Sequence, residues 1–200
     1  MHTDLARSLS IREDPLTRNL HLGCWHRIIP GFINVDLCDM PHIDYKTSID
    51  SLPMFGDDFA DLIYCSHSFE YFDRQEAAAV LAEWRRVLKP GGTLRLAVPD
   101  FEALVKVYHT TANLDRVLGP LYGRMEVQTE SGPKRLYHRT VYDFASLSRL
   151  LSQNGFVSVR RYDWRQTVHK DYDDHSQANF PHMDKDNGLL ISLNVEASKT

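Results

Sequence analysis

The fold of this chain is decided by residues 58–100, which read DFADLIYCSHSFEYFDRQEAAAVLAEWRRVLKPGGTLRLAVPD. Residues 62–65 are a continuous apolar run, as expected for a strand covered on both faces. Apolar residues then recur at three- and four-residue spacing from 77 to 88, which predicts a helix that ends at the Lys-Pro-Gly-Gly turn of residues 89–92. Residues 93–98 alternate and predict a second strand. A strand, a crossover helix and a further strand are the unit of a parallel α/β sheet.

Shorter strand signals precede this segment. Residues 20–22 form a strand-like run that ends at Gly23, and residues 32–35 form another that ends at Asp36. The connection over residues 23–31 is too short for a crossover helix, which needs roughly a dozen residues. We therefore predict a loop as the first crossover.

The later part of the chain continues the alternation. A helix begins after Asp100 and runs to about Tyr108, a second covers residues 142–154, and residues 156–163 are strand-like. Residues 191–197 alternate between apolar and polar, which indicates an antiparallel edge strand with one solvated face. The pattern predicts one domain with a doubly wound, Rossmann-like α/β fold, whose mostly parallel sheet has an antiparallel C-terminal strand.

Composition excludes several classes of protein. The chain of 200 residues has 23 Lys and Arg against 27 Asp and Glu, a net charge of -4, which argues against binding to nucleic acid. No apolar run approaches the roughly 18 residues of a membrane span, and no signal peptide is visible at the N-terminus. Cys24, Cys38 and Cys65 show no CxxC spacing, so we expect reduced thiols in the cytoplasm. Nothing in the sequence indicates an oligomeric state.

In open α/β sheets a ligand binds beyond the carboxyl ends of the strands. That rule selects the residues after each predicted strand, namely Gly23 to His26, Asp36, Asp50, Ser66 to Tyr71, and Pro99 with Asp100.

Four segments carry a resemblance to a known family: LHLGCWHRIIPGFINVDL, SIDSLPMFGDDFADLIYCSHSFEYF, LAEWRRVLKPGGTLRLAVPDF and GLLISLNVEA. They resemble class I S-adenosylmethionine-dependent methyltransferases, in particular small bacterial enzymes associated with the biosynthesis of surface glycans and lipopolysaccharide. The resemblance spans residues 20–197 and implies S-adenosylmethionine as the cofactor.

The resemblance assigns cofactor binding to Gly23, Cys24, Trp25, Asp36, Leu37, Asp50, Ser51, Ser66, His67 and Tyr71. A glycine permits close backbone approach, and a carboxylate such as Asp36 can accept both ribose hydroxyl protons. Asp50 matches the acidic residue that contacts the adenine amine. The alternative for Asp36 and Asp50, which we favour less, is a turn-forming role after strands. The family's glycine-rich loop retains only Gly23 here, and Trp25 either stacks on the cofactor or fills its site.

Methyl transfer to an oxygen acceptor needs a general base, and histidine titrates close to neutrality. We predict His67 as the base, then His138, with Glu70 as an orienting carboxylate. The alternatives are a structural role for His67 and a turn-capping role for Glu70. For Cys24 and Cys65 we favour packing in the core.

Residues 165–187 are rich in His and Asp, ligand types that suit zinc, manganese or iron. Their spacing matches no compact metal signature, so we predict no metal site and a solvated, partly ordered loop. With residues 109–139, this segment is predicted to form an acceptor-side insertion, and residues 1–19 an N-terminal arm or helix. Candidate acceptor-binding residues are Tyr122, Arg124, Tyr137, His138, Arg139, His169 and His175.

The function predicted from the sequence is therefore methyl transfer to a small-molecule or sugar acceptor. Two alternatives stay open. One is a non-catalytic protein of this fold that serves as a binding scaffold. The other is a nicotinamide-dependent oxidoreductase, against which stand the single glycine and the missing Tyr-x-x-x-Lys pair.

Overall fold

A computed structural model describes residues 18–129, 132–182 and 184–200, and within them seven strands form one sheet in the order β3-β2-β1-β4-β5-β11-β8. These strands are β1 Asn19–Leu22, β2 Phe32–Asp36, β3 Tyr45–Lys46, β4 Ala60–Ser66, β5 Leu88–Pro99, β8 Phe156–Arg161 and β11 Ser192–Lys199. Two hairpins are formed by β6 Met125–Thr129 with β7 Gly132–Leu136, and by β9 Asn179–Phe180 with β10 Leu189–Leu190. The helices are α1 Glu76–Val87, α2 Phe101–Thr111, α3 Asp115–Tyr122 and α4 Phe144–Gln153. Apart from Arg18 and Asn19, the predicted N-terminal arm lies outside the described residues.

The predicted strand–helix–strand unit is confirmed. Helix α1 buries Ala77, Val80, Leu81, Trp84 and Val87, the face that the three- and four-residue spacing indicates. This face packs against the sheet in the main hydrophobic core. Strand β4 pairs in parallel with both β1 and β5. Residues 62–65 are each at most 9% exposed, and successive side chains point to opposite faces, so the apolar run is covered on both faces.

The other predicted helices are also present. Asp100 caps α2 by accepting hydrogen bonds from the backbone N–H groups of Glu102 and Ala103. Asp143 caps α4 in a reciprocal capping box with Ser146. The region from 109 to 139 contains one helical piece, α3, and a hairpin that the sequence pattern did not indicate. No helix within the described residues has the length and apolar character needed to cross a bilayer.

The position of the last strand was predicted incorrectly. Strand β11 is antiparallel, as predicted, but it lies between β5 and β8 and not at the edge of the sheet. Its polar face is not solvated, because Ser192 is 2% exposed and Asn194 is 3% exposed. The alternation shows that the two faces of β11 lie in different environments. The polar face is buried here, and its side chains are hydrogen-bonded.

Residues 164–179 cover the polar face of β11. The connection from β1 to β2 is a loop, as predicted, so no crossover helix covers the sheet beside it. Residues 164–179 pack there instead, with His169 fully buried and its ring centroid 4.1 Å from that of Tyr64. Asp174 accepts a hydrogen bond of 2.5 Å from the Tyr64 hydroxyl. The prediction of a solvated loop is therefore wrong for the buried polar residues of this segment, which are Thr167, His169, Asp174, Ser176, Gln177 and Asn179.

Two buried histidines, His169 in this segment and His21 in β1, lower the stability of the fold at acid pH. Burial lowers the pKa of His21 and of His169 to about 4, from 6.5. Between pH 6.5 and pH 4 these two histidines are protonated in the unfolded chain and neutral in the folded chain. The free energy of unfolding therefore falls as the pH falls toward 4. Wild type should lose free energy of unfolding between pH 7 and pH 4.5, and we expect this loss to be about 2–3 kcal/mol smaller in His169→Gln. Urea denaturation at the two pH values measures this, with exposed His182→Gln as the control; equal losses in wild type and His169→Gln contradict it.

Candidate active site

The candidate site lies where the order of the parallel strands reverses. Strands β1 and β4 are neighbours, with Leu22 opposite Cys65. The chain leaves β1 toward β2 on one side and leaves β4 through α1 toward β5 on the other. Loops that diverge in this way leave a crevice at the carboxyl ends of the two strands. Gly23 and residues 66–71 lie at this edge.

Gly23 is required by a close contact between two loops. Its φ is +68°, and a Cβ at this position would collide with the Ser68 side chain. The Ser68 hydroxyl donates a hydrogen bond of 3.0 Å to the Gly23 carbonyl. The space beside the Gly23 Cα is therefore filled by Ser68, which lies in the selected segment from Ser66 to Tyr71 but was assigned no role from the sequence.

Asp36 fixes the loops that follow β1 and β2. It is 7% exposed, and its Oδ2 accepts a 2.7 Å hydrogen bond from the Trp25 backbone N–H. Its Oδ1 accepts a 2.8 Å bond from the Cys38 backbone N–H. Each oxygen retains one further lone pair, because a carboxylate oxygen can accept two hydrogen bonds.

Two apolar side chains lie at the surface next to Asp36. Trp25 and Leu37 are each 40% exposed, and the Trp25 ring contacts that of His26 edge-on at 4.2 Å. The indole is therefore not buried in the core. Trp25 has a φ of +45°, a strained conformation for a bulky residue that costs about 1–3 kcal/mol and is typical of functional sites.

Asp50 and Ser51 are exposed on a loop that is anchored at both ends. The Trp84 indole donates to the Ile49 carbonyl at 2.7 Å, and the Leu52 N–H donates to Glu83 at 2.8 Å. Ile49 borders the position that a Cβ on Gly23 would take, so this loop lies beside the crevice. Within the described residues, the Asp50 carboxylate has no hydrogen-bond or ion-pair partner.

The remaining predicted cofactor residues are held by the protein itself. The Cys24 side chain is 2% exposed, and burial raises the pKa of its thiol to about 12, so it packs in the core. The Ser66 hydroxyl donates to Asp174 at 3.5 Å. The Tyr71 hydroxyl donates to the Gly123 carbonyl at 2.8 Å, and its ring contacts His138 edge-on. Tyr71 therefore belongs with His138.

The three predicted catalytic residues are brought together. Glu70 is fully buried, and its Oε1 lies 3.5 Å from His67 Nδ1 and 3.5 Å from His138 Nε2. Neither Glu70 oxygen has a hydrogen-bond partner in the part of the chain that the structure describes. The His67 side chain is 13% exposed, so it is the member of this cluster most open to solvent.

Burial favours the uncharged forms of His67, Glu70 and His138. It raises the pKa of Glu70 to about 8. It lowers the pKa of His67 well below 6.5, and charge on the neighbouring His175 and His138 would lower it further. Burial also lowers the pKa of His138. Loss of solvation disfavours the charged form of each group.

His67 and His138 are each oriented by a second contact. His67 has a φ of +51°, and its Nε2 lies 3.0 Å from the Ser192 hydroxyl. His138 Nδ1 lies 3.0 Å from the Pro120 carbonyl. The sequence missed Ser192 and Pro120 because neither is near its partner along the chain.

Comparisons with known proteins agree with this architecture. Residues 34–96 match the sequence model of a family described as a methyltransferase domain. A putative S-adenosylmethionine-dependent methyltransferase from Listeria monocytogenes is 17% identical, with 92% of this chain and 91% of that chain covered and a TM-score of 0.50. A possible histamine N-methyltransferase from Thermotoga maritima is 15% identical, with 93% and 83% covered and a TM-score of 0.54. The chain has the methyltransferase fold.

One further solved structure with this fold contains ligands. It is the 1,6-didemethyltoxoflavin-N1-methyltransferase of Burkholderia thailandensis with bound 1,6-didemethyltoxoflavin and S-adenosylhomocysteine. It is 16% identical to this chain, with 92% of this chain and 71% of that chain covered and a TM-score of 0.52. Among the curated proteins, none is significantly similar in sequence.

A cavity of about 560 Å³ is present in this methyltransferase fold, and none of His67, Glu70 and His138 lines it. Both predicted insertions line it, the first with Thr111, Asn113, Asp115, Arg116 and Pro120, the second with Asn179, Phe180, Pro181 and His182. Pro120 also accepts the hydrogen bond of His138, so the cavity and the cluster share a wall. Across residues 18–129, 132–182 and 184–200, no group of three or more His, Cys, Asp or Glu side chains could hold a metal ion.

Proposed function

We propose that this protein is an S-adenosylmethionine-dependent methyltransferase in which His67 removes the proton of the acceptor, supported by Glu70 and His138. The observation that carries the proposal is the convergence of these three side chains within 3.5 Å at the carboxyl edge of the sheet. His67 is reachable from solvent, and its lowered pKa leaves it unprotonated at neutral pH, ready to accept a proton. The adjacent Glu70 orients the ring, with its Oε1 3.5 Å from His67 Nδ1.

The residues around Asp36 fit the nucleoside of the cofactor. Asp36 retains a lone pair on each oxygen for the ribose hydroxyls, and the exposed Trp25 and Leu37 offer apolar surface. Asp50, which is exposed beside the crevice, is free to accept from the adenine amine. S-adenosylmethionine supplies the methyl group when bound.

We assign the acceptor to the cavity shared by the two insertions. Its volume of about 560 Å³ suits a small molecule or a single sugar unit. This supports a small-molecule or glycan acceptor, in line with the resemblance to enzymes of surface-glycan synthesis. Three buried, unpaired thiols suit a reducing compartment, and we place the reaction in the cytoplasm.

Binding of S-adenosylhomocysteine tests the cofactor assignment. We expect Asp50→Ala to raise its Kd about tenfold, because a hydrogen bond to a charged group contributes about 1.5–3 kcal/mol. Isothermal titration calorimetry measures this, and Asp186→Ala, at another exposed aspartate, is the matched control. An unchanged Kd in Asp50→Ala removes Asp50 from the site.

The same titration separates the enzyme from the scaffold alternative. Two observations favour a scaffold: Ser68 fills the space beside Gly23, and Asp36 already holds two backbone N–H groups. The scaffold reading predicts no heat of binding with the wild-type protein, whereas the methyltransferase reading predicts saturable binding.

A further inference from the structure

We propose that a smaller cavity, beside the loop that follows β1, binds the α-amino-acid end of S-adenosylmethionine, with Arg27 holding its carboxylate and Asp171 its ammonium group. The proposal rests on the proposed function, in which the nucleoside lies at Asp36 and the acceptor is deprotonated at His67. Residues 171–174, predicted from the sequence to lie on the acceptor side, then serve the cofactor.

The cavity has a volume of about 290 Å³ and lies between two segments. One is the loop from β1 to β2, which contributes residues 26–29, and the other is residues 171–174. The two segments come together because no crossover helix follows β1. This volume is at the lower end of ligand pockets, so it suits a small polar group and not a whole nucleoside.

The cavity lies between the two parts of the proposed site. On one side, its loop begins at a backbone N–H that donates to the Asp36 carboxylate at 2.7 Å. On the other side, residues 171–174 lead into His175, whose ring centroid lies 5.2 Å from that of His67. The sulfur of S-adenosylmethionine carries the nucleoside, the methyl group and the amino-acid chain. We therefore expect that chain to lie in a cavity between these two places.

Arg27 is the cation that can bind a carboxylate here. Its Nη1 lies 3.4 Å from Asp173 Oδ2, longer than the distance of about 2.7–2.9 Å in a strong charged hydrogen bond. Both side chains are partly exposed, so water screens the pair and it contributes little to stability. Lys185 Nζ already binds Asp173 Oδ1 at 2.7 Å. A ligand carboxylate can therefore bind the Arg27 guanidinium without leaving Asp173 unpaired.

Asp171 supplies the opposite charge. Its carboxylate lines the cavity and has no hydrogen-bond or ion-pair partner in the described part of the chain. Asp174 is not available, because it accepts a hydrogen bond of 2.5 Å from the Tyr64 hydroxyl. Burial and the charge of Arg27 lower the pKa of His26, so this ring adds no second positive charge at pH 7. A weakly held guanidinium and an unpaired carboxylate on facing segments match the two charges of an α-amino-acid group.

Two nucleosides that differ at this end test the proposal. S-adenosylhomocysteine has the amino-acid group, whereas 5′-methylthioadenosine keeps the nucleoside and the sulfur but lacks that group. In isothermal titration calorimetry, Arg27→Gln should raise the Kd of S-adenosylhomocysteine about tenfold and leave the Kd of 5′-methylthioadenosine unchanged. Asp171→Asn should give the same pattern with an effect of about threefold, because its carboxylate is exposed to water.

Matched controls are available on the surface. Arg149→Gln, at an exposed arginine of α4, and Asp186→Asn, at an exposed aspartate, should leave the Kd of both nucleosides unchanged. The binding of 5′-methylthioadenosine also reports on folding. A loss confined to S-adenosylhomocysteine therefore cannot come from a misfolded variant.

An unchanged Kd of S-adenosylhomocysteine in Arg27→Gln overturns the proposal. So does an equal loss for both nucleosides in Asp171→Asn, which decides alone if Arg27→Gln does not fold. Binding of free L-methionine that depends on Arg27, with S-adenosylhomocysteine unaffected, assigns the cavity to a free amino acid and overturns it as well.

The wild-type titrations separate this proposal from the proposed function. If wild type binds both nucleosides with equal affinity, the amino-acid group has no site, and the proposed function stands without this inference. If wild type binds neither nucleoside, both fail together.

Discussion

Replacing Glu70 by glutamine is expected to stabilise the protein at alkaline pH on the order of 3–5 kcal/mol. Burial raises the pKa of Glu70 to about 8 from 4.5, so the folded chain holds a proton that the unfolded chain releases between these values. The stability that this proton contributes is complete below pH 4.5 and is lost as the pH rises through 8. Glutamine keeps the shape of the protonated acid and never becomes charged.

Denaturation by urea at pH 5 and at pH 8.5 measures this effect. Wild type should lose stability between the two values, and Glu70→Gln should lose much less. Glu102→Gln, at an exposed position on α2, is the control and should follow wild type. If Glu70→Gln and wild type lose stability equally, the Glu70 carboxyl is not held in its neutral form.

The second large effect is expected on catalysis. His67→Asn should lower kcat for methyl transfer about 10²–10³-fold, since general bases contribute about 10²–10⁴-fold. Asparagine is chosen because His67 has a φ of +51°, a conformation that asparagine tolerates better than alanine. The substitution therefore removes the imidazole and preserves the backbone of the loop.

The rate is measured as S-adenosylhomocysteine formed from S-adenosylmethionine with the acceptor that wild type methylates. Calorimetry of His67→Asn with S-adenosylhomocysteine separates the loss of a base from the loss of the cofactor site, because only the second weakens binding. His109→Asn, at an exposed histidine of α2, should retain wild-type turnover. Turnover of His67→Asn within threefold of wild type contradicts the role of His67 as the base.

Part of the candidate site could be predicted because it is local. His67 and Glu70 are three residues apart after β4, so any fold that ends this strand at Ser66 places them together. His138 joins them from a distant insertion, through the Pro120 carbonyl. Ser192 lies 125 residues from His67, and no local pattern links the two. For Gly23 the sequence predicts close approach of the cofactor to the backbone. The structure shows a contact of another kind, in which the Ser68 side chain from the end of β4 lies beside the Gly23 Cα.

The sequence by itself determined the long strands of the main sheet, helices α1, α2 and α4, and the direction of β11, because backbone preference, capping residues and apolar period act over a few neighbouring residues. Only the tertiary structure decided that β11 lies inside the sheet and that residues 164–179 cover its polar face. A polar residue in an alternating strand can face water or a buried hydrogen-bond partner, and its period is the same in both cases. The choice depends on which distant segment supplies the partner, here Ser176 for Asn194 and Asp174 for Tyr64.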